Sequence, residues 1–362
     1  MRQEIASEVE MRIVHVTRSL ILNSGISVFV CRMAVAMSEA GHDVYLRYTW
    51  KPEMAVNAKV DARKFSSLAE LTFRPDVVHV HGLWSMDMVR AMDWCRKNHV
   101  KYFVSPHGGL MPRVLRRGWI KKHVFYWLFL RKNLNAAAGI HCTGDGEAEA
   151  VRGLGITSRT FIVPLGCDIP KLNPNEKKEN MILFLSRIGE EKGLGYLLDA
   201  WKLIEHKGWR IVLAGPDWEG FRSALEAKIR REGIRDVDFL GPANAEQKDM
   251  LYRKARVFVL PSPMENFSMV ILDALAYGLP VICTKGTPWK SIQDEGCGWW
   301  VESNSADAIR IALSSVMNET DESFECMRVC SMRLAGKFSW NLLAGIMINE
   351  YSKAWEEIYG IS

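Results

Sequence analysis

Twice along the chain, short apolar runs alternate with helical patterns, and this repeated grammar restricts the fold more than any other feature. The first series holds Ile13-Val-His-Val16, Gly41-His-Asp-Val-Tyr-Leu46, Asp76-Val-Val-His-Val80, Tyr102-Phe-Val-Ser105, Ile140-His-Cys-Thr143 and Thr160-Phe-Ile-Val163. The second holds Met181-Ile-Leu-Phe-Leu185, Arg210-Ile-Val-Leu-Ala214, Val237-Asp-Phe-Leu240, Arg256-Val-Phe-Val-Leu260, Leu279-Pro-Val-Ile-Cys283 and Gly298-Trp-Trp-Val301. Runs this short and this apolar suit strands buried on both faces, and strands separated by helices require a parallel sheet with crossovers. Pro164-Leu-Gly-Cys-Asp-Ile-Pro170 and the polar residues after it interrupt the pattern as a linker does. The expected organisation is a loose tail over 1–10, an α/β domain over 11–166, a linker over 167–180 and a second α/β domain over 181–340. Two doubly wound units put a ligand crevice at the carboxyl ends of their strands.

At 362 residues the chain exceeds one ordinary core. The apolar run Val124-Phe-Tyr-Trp-Leu-Phe-Leu130 is far shorter than the roughly 20 residues that span a bilayer, so no transmembrane helix is expected. The acidic first ten residues lack the apolar core of a secretory signal. Eight cysteines, Cys31, Cys95, Cys142, Cys167, Cys283, Cys297, Cys326 and Cys330, form no Cys-x-x-Cys pair and read as buried thiols of a reducing, cytoplasmic compartment. The net charge of +5 is unevenly shared: residues 11–165 hold 22 Lys and Arg against 11 Asp and Glu, whereas 166–362 hold 24 against 28. The basic half calls for an anionic partner, whether a membrane surface, a phosphorylated acceptor or nucleic acid.

The richest chemistry lies in Pro261-Ser-Pro-Met-Glu265-Asn266-Phe267-Ser268-Met269-Val270-Ile-Leu-Asp273. With a helix beginning near Phe267, Glu265 sits on the loop ahead of it, the free N–H groups of the first turn point the same way, and Asp273 follows on the same face. One carboxylate can accept from sugar hydroxyls, the helix start can hold phosphate oxygens, and the second carboxylate can reach a ribose. Upstream, Ser186-Arg187-Ile-Gly-Glu-Glu-Lys192-Gly193 follows a strand and opens a helix. Its two cations can close on a diphosphate; alternatively Glu190 and Glu191 are their salt-bridge partners on a solvated loop.

These motifs together resemble the Glu-x7-Glu signature and phosphate-binding loop of the retaining nucleotide-sugar glycosyltransferases of family 4, which have the GT-B fold. The likeness covers almost everything from Met11 onward. It implies two Rossmann-like doubly wound domains facing across a cleft, with the last helix, 341–362, returning to the first domain. It also implies roles. Arg187 and Lys192 hold the donor pyrophosphate; Glu265 contacts donor-sugar hydroxyls; the backbone of Asn266, Phe267, Ser268, Met269 and Val270 meets sugar or phosphate oxygens; Asp273 stands in for the ribose-binding glutamate. The chain departs from the pattern at Ser268, where glycine is frequent, and at Asp273, one methylene short of the usual residue. In the loop Asn23-Ser24-Gly25 the family carries Gly-Gly, so Gly25 alone is left to let the backbone approach the donor. The histidine of Ser105-Pro-His107-Gly-Gly matches the one that lies against the donor hexose, so catalytic roles fall to His107, Glu265, Arg187 and Lys192.

Three further features bear on the chemistry. His79 and His81 alternate on a strand, but a His-x-His metal pair needs further ligands that the sequence does not show, so a supporting or acceptor-side role is expected. Asp236-Val-Asp238 spells a metal-binding Asp-x-Asp yet precedes Phe239 as an ordinary strand entry. No metal and no cofactor are expected. Residues 113–132 interleave cations with aromatics and either lie on an anionic membrane or pack as a buried helix with a basic edge.

The expected activity is transfer of a hexose-type sugar, with retention, from a UDP- or GDP-sugar to a hydroxyl of a saccharide or lipid-linked saccharide in cell-surface polysaccharide or lipopolysaccharide assembly. The enzyme is expected in the cytoplasm, peripherally on the inner face of the membrane, without nucleic acid. The alternatives are a GT-B-shaped nucleotide-sugar epimerase and a non-enzymatic basic protein that binds membrane or nucleic acid. No Gly-x-Gly-x-x-Gly follows the first strand, which argues against a nicotinamide enzyme.

Overall fold

The computed structural model describes residues 10–21, 24–50, 52–53, 56–116, 118–173, 176–265 and 267–359. They fall into two compact units, one made of the described residues of 1–166 together with 340–359, the other of those of 167–339. Apart from Glu10, the tail expected over 1–10 lies outside the described residues.

The first unit is built on a seven-stranded sheet of β1 (Arg12–Thr17), β2 (Asp43–Tyr48), β3 (Asp61–Lys64), β4 (Val77–His81), β5 (Lys101–Ser105), β6 (Gly139–Cys142) and β7 (Thr160–Ile162). The strands lie in the order β3-β2-β1-β4-β5-β6-β7 and every pair is parallel. The second unit carries six parallel strands, β8 (Met181–Leu185), β9 (Arg210–Ala214), β10 (Val237–Gly241), β11 (Val257–Leu260), β12 (Val281–Thr284) and β13 (Gly298–Val301), ordered β10-β9-β8-β11-β12-β13. Each order reverses once, between β1 and β4 in one sheet and between β8 and β11 in the other. In a doubly wound sheet the loops leaving the two strands at that reversal diverge and leave a crevice.

β3 was not expected. Asp61-Ala-Arg-Lys64 shows no apolar pattern because it is an edge strand, held by the β2 ladder and by Arg47, whose guanidinium donates to Asp61 O at 2.7 Å and pairs with its carboxylate at 3.2 Å. The basic and aromatic stretch over 113–132 is helical in segments, Pro112–Arg116, Trp119–Phe125, a π-helical turn Tyr126–Leu130 and Arg131–Asn135.

The last helix, Trp340–Tyr359, belongs to the first unit. Trp340, Leu343, Ala344, Met347, Ile348, Tyr351 and Ala354 are buried. This i, i+3, i+4, i+7 spacing makes one apolar stripe, which packs with Phe29, Met33 and Met37 of the helix Gly25–Glu39 in one core. Each such buried aliphatic side chain contributes about 1.5–3 kcal/mol relative to exposure. Arg159 pairs with Glu350 to fix the helix in register.

Candidate active site

The reversal between β8 and β11 sets the second unit's site. After β8 the chain runs through Arg187 into a short turn, Glu190–Lys192, and Gly193 ends it at φ +69°. A Cβ at Gly193 would stand 2.2 Å from the Pro261 carbonyl oxygen, so only glycine lets the loop after β8 press against the loop after β11. Next to Glu265, a Cβ at Gly286 would stand 1.8 Å from the Pro263 carbonyl oxygen, and Glu265 N donates to Gly286 O at 2.8 Å. The outcome of this backbone contact is an ion pair. Lys192 Nζ donates to Glu265 Oε1 at 2.6 Å, with side chains only 11% and 14% exposed. An ammonium has three N–H donors, so the pair leaves donor capacity for a further anion.

Arg187 is held more loosely. It pairs with Glu191 at 3.6 Å and lies 4.7 Å over the Trp218 ring, about half exposed. The acidic neighbour foreseen as a partner is therefore present for Arg187, whereas Lys192 turns to Glu265. The helix Met269–Ala276 begins two residues later than expected, with Ser268 at its cap in the left-handed region, φ +67°. That backbone explains why glycine suits this position. Phe267 packs on Trp289, and the Trp289 indole donates to the Phe267 carbonyl, which fixes the loop. Met269 and Val270 open the helix; Asn266 lies outside the described residues. Asp273 is the fifth residue of this helix. Burial pushes its carboxyl up to about 7, opposed by the Lys248 cation and reinforced by the Asp168 carboxylate. Among the described residues no hydrogen bond or ion pair joins it to Lys192 or Glu265.

The first unit's candidate, His107, stands just past β5 at φ +51° and is half-buried. Its loop is tied down from both sides. Buried Glu147 accepts from Gly108 N and from Thr143 N and Oγ1, and the Trp84 indole donates to Gly109 O at 3.1 Å. Beneath it the parallel register sets His15 opposite His79, and Thr17 opposite His81, so imidazoles from β1, β4 and β6 share one face. They are joined by hydrogen bonds. His107 Nε2 meets His81 Nδ1 at 3.1 Å, His81 Nε2 meets His15 Nδ1 at 2.9 Å, and His15 Nε2 meets Met37 Sδ at 3.4 Å. A second chain runs from Tyr351 Oη to His79 Nδ1 at 2.5 Å, His79 Nε2 to Ser105 Oγ at 2.6 Å, Ser105 Oγ to His141 Nδ1 at 2.6 Å, and His141 Nε2 to Val163 O at 2.7 Å. Burial drives all five imidazoles toward the neutral form, His15 and His107 down to about 3 and His141 to about 4. His79 and His81 are lowered further by their histidine neighbours.

His79 and His81 are thus fully buried, and the further histidine that a His-x-His pair would need, which the sequence did not show, is His15. Donor nitrogens of His15, His79 and His81 come within 4.8 Å of one another. Each nitrogen is already engaged in the two chains, however, so the cluster is complete as a hydrogen-bonded array. Asp236 and Asp238 have protein partners too, His206 at 2.6 Å and Arg210 at 3.1 Å, as befits a strand entry. Gly25 opens the helix that follows β1.

Two family models match in succession, a glycosyl transferase 4-like domain over residues 49–166 and the group 1 glycosyl transferases over 168–327. The chain belongs to the group 1, family 4 glycosyltransferases. This glycosyltransferase is 33% identical over 181 residues to an uncharacterised glycosyltransferase of Methanocaldococcus jannaschii, a match covering 49% of this chain and 46% of that one. It is 25% identical over 286 residues to the GDP-mannose:cellobiosyl-diphosphopolyprenol alpha-mannosyltransferase of Xanthomonas oryzae pv. oryzae, covering 77% and 74%. Among solved structures it is similar to HepE of Anabaena in complex with UDP, with a TM-score of 0.75, 15% identity and coverage of 95% and 100%. The fold is therefore GT-B, with seven- and six-stranded Rossmann-like sheets.

No motif in the sequence of this glycosyltransferase singles out Glu147, His15, His141, Trp84 or Tyr351. The signal was there for the histidines: each interrupts an otherwise apolar strand at a position that alternation sends inward. No such signal marks Glu147, whose role comes from the way the first turn of the helix Asp145–Gly153, after β6, approaches the loop after β5.

Proposed function

We propose that this glycosyltransferase moves a hexose-type sugar, with retention, from a nucleoside diphosphate sugar to a hydroxyl of a saccharide or lipid-linked saccharide, in the assembly of a cell-surface polysaccharide or lipopolysaccharide. The observation that carries the reading is the Lys192–Glu265 pair at the β8/β11 reversal, 2.6 Å apart. It sets a cation for the diphosphate beside a carboxylate that can accept from sugar hydroxyls. Arg187 adds a second cation, the first N–H groups of Met269–Ala276 add a positive helix end, and Asp273 serves the ribose. As the sugar–phosphate bond breaks, charge grows on the leaving diphosphate, and preorganised cations stabilise that charge without reorganising. The leaving phosphate can take the acceptor's proton on the same face. In the first unit, His107 and the Gly25 backbone serve the donor from β5 and β1.

The mannosyltransferase similar to this chain is named for a diphosphopolyprenol-linked acceptor, which favours a lipid-linked substrate here. The surface of the first unit agrees. Trp119 (62%), Ile120 (63%), Trp127 (53%) and Leu128 (68%) are exposed beside Arg113, Arg116, Lys121, Arg131 and Lys132, with no acidic residue from Pro112 to Asn133. The π-turn buries only Tyr126 and Leu130 of its five residues and leaves the three between them outward. Such a face suits peripheral binding to anionic lipid. No helix among the described residues is long and apolar enough to cross a membrane.

A panel of UDP- and GDP-sugars, assayed for hydrolysis and for transfer to polyprenyl-diphosphate saccharides in anionic vesicles, tests both parts. Release of nucleoside diphosphate with transfer of the sugar supports the reading. Interconversion of the sugar while it remains on the nucleotide would favour the epimerase, and failure to bind any sugar nucleotide would remove the assignment.

A further inference from the structure

We infer that His81, His15 and Met37 are positioning residues that hold His107 in the tautomer whose Nδ1 is unprotonated, so that this ring meets its ligand as a hydrogen-bond acceptor. The inference follows from counting protons along the contacts. A thioether sulfur accepts and cannot donate, so His15 Nε2, 3.4 Å from Met37 Sδ, carries the proton. A neutral imidazole has one N–H, which leaves His15 Nδ1 bare, and His81 Nε2 at 2.9 Å donates to it. The single N–H of His81 is then spent. Its Nδ1 accepts, the donor 3.1 Å away is His107 Nε2, and His107 keeps a bare Nδ1.

Neutrality is imposed by the surroundings. His15 and His81 are buried and stack at 5.2 Å, His81 and His107 stack at 5.3 Å, and Phe29 lies edge-on to His107 at 5.3 Å. A charge on any one ring would face apolar carbon and its neighbours' rings. The second chain supplies no spare proton. Its direction is fixed by the Val163 carbonyl, which can only accept: His141 donates to it, Ser105 donates to His141, His79 donates to Ser105, and Tyr351 donates to His79. Both nitrogens of His79 are used, so the chain that ends on Tyr351 cannot exchange a proton with the chain that ends on His107.

The inference rests on the proposed placing of His107 against the donor, yet the tautomer can be read without turnover. In ligand-free protein carrying 15N-labelled histidine, His107 is expected to show an unprotonated Nδ1 and a protonated Nε2. Met37→Leu nearly conserves volume but removes the acceptor that sets the direction of the chain. In that variant His107 is expected to populate both tautomers, with turnover at saturating donor reduced about fivefold, donor KM changed less than about twofold, and little change in melting temperature. Restoring a thioether is expected to restore the single tautomer. A purely structural histidine cluster would shift the melting temperature and leave the tautomer alone. The inference is overturned by a protonated His107 Nδ1 in the native protein, by an unchanged tautomer in Met37→Leu, or by stoichiometric zinc bound through His15, His79 and His81. If no sugar is transferred at all, the functional reading fails while the tautomer measurement still decides this one.

Discussion

The two units share one strand grammar and use it in opposite electrostatic ways. At the reversal of the six-stranded sheet, formal charges are brought together: Lys192 and Glu265 form a nearly buried pair, and Arg187 waits half exposed beside them. In the seven-stranded sheet, from the reversal at β1 and β4 across β5 to β6, five titratable rings are brought together and burial holds each toward the neutral form. The physical difference is where each group meets water. The cations stand on loops beyond the strand ends, where an ion keeps part of its hydration until a ligand replaces it. Four of the five histidines, His15, His79, His81 and His141, lie within strands, where a charge has no such recourse and neutral hydrogen bonds are the stable outcome. A diphosphate wants the first environment. A ring that must keep one donor–acceptor polarity wants the second.

The comparison breaks first if the charged site is not the phosphate site. Arg187→Ala and Lys192→Ala are each expected to lower turnover by about a hundredfold or more, since each removes a cation worth roughly 3 kcal/mol to the developing diphosphate. Initial rates of nucleoside diphosphate release check this, and near-normal turnover in both variants would sink the assignment. Lys192→Ala also strands Glu265, so its loss is expected to exceed that of Arg187→Ala.

The neutral site is probed by acid. The folded pKa values of His15 and His107, about 3, and His141, about 4, lie below the ordinary 6.5, so the unfolded chain binds protons that the folded chain refuses. Stability contributed by these groups is fully present above about pH 6.5 and is lost as pH falls toward 3. By pH 5 each histidine acting independently removes about 2 kcal/mol, and coupling makes the sum smaller than the count. Urea unfolding at pH 7 and pH 5, followed by hydrogen exchange of β1, β4 and β6 against β8 and β11, is expected to show the loss in the seven-stranded unit first. Equal loss in both units would contradict the contrast.

Both crevices were legible in outline, because alternating buried strands and helices dictate a parallel sheet, and a polar break marks where one series stops. What was not legible came from pairing in space. That β8 and β11 are neighbours, and that Lys192 therefore reaches Glu265, depends on strand order, which local patterns do not carry. β3 escaped because an edge strand with one buried face too few has no apolar signature. The late start of Met269–Ala276 escaped because Ser268 takes a left-handed backbone that no polar–apolar pattern announces. The histidine array is an intermediate case: its members interrupt apolar strands, but only the register of β1, β4, β5 and β6 shows that they meet.

Asp273 sits between the two regimes, a carboxylate partly buried and raised to about 7. As a ribose acceptor it must be ionised, so nucleoside diphosphate affinity is expected to rise with pH through about 7 and to level off above it. Asp273→Asn is expected to weaken binding about tenfold at pH 8, the worth of one charge-assisted hydrogen bond, and to flatten that pH dependence. Titration calorimetry with UDP and GDP decides it. A pH-dependent affinity that survives Asp273→Asn would assign the titration to another group. Asp273→Glu sharpens the point: affinity holds or rises if the shorter side chain is merely tolerated, and falls if the helix has moved to fit it.

The smallest expected effect is at Ser268, where the charged site bears a backbone cost of its own. An L-residue in the left-handed region costs roughly 1 kcal/mol that glycine does not, while glycine adds about 0.5 kcal/mol of unfolded-state entropy. The Ser268 side chain makes no capping hydrogen bond that would offset this. Ser268→Gly is therefore expected to stabilise the second unit by about 0.5 kcal/mol and to raise its melting temperature by a degree or two. Because the first N–H groups of Met269–Ala276 are proposed to meet phosphate, the same change also tests whether the cap is tuned for binding. An unchanged or higher affinity for the nucleoside diphosphate makes Ser268 a tolerated replacement. Weaker binding, together with higher stability, would show that the serine hydroxyl itself touches the donor.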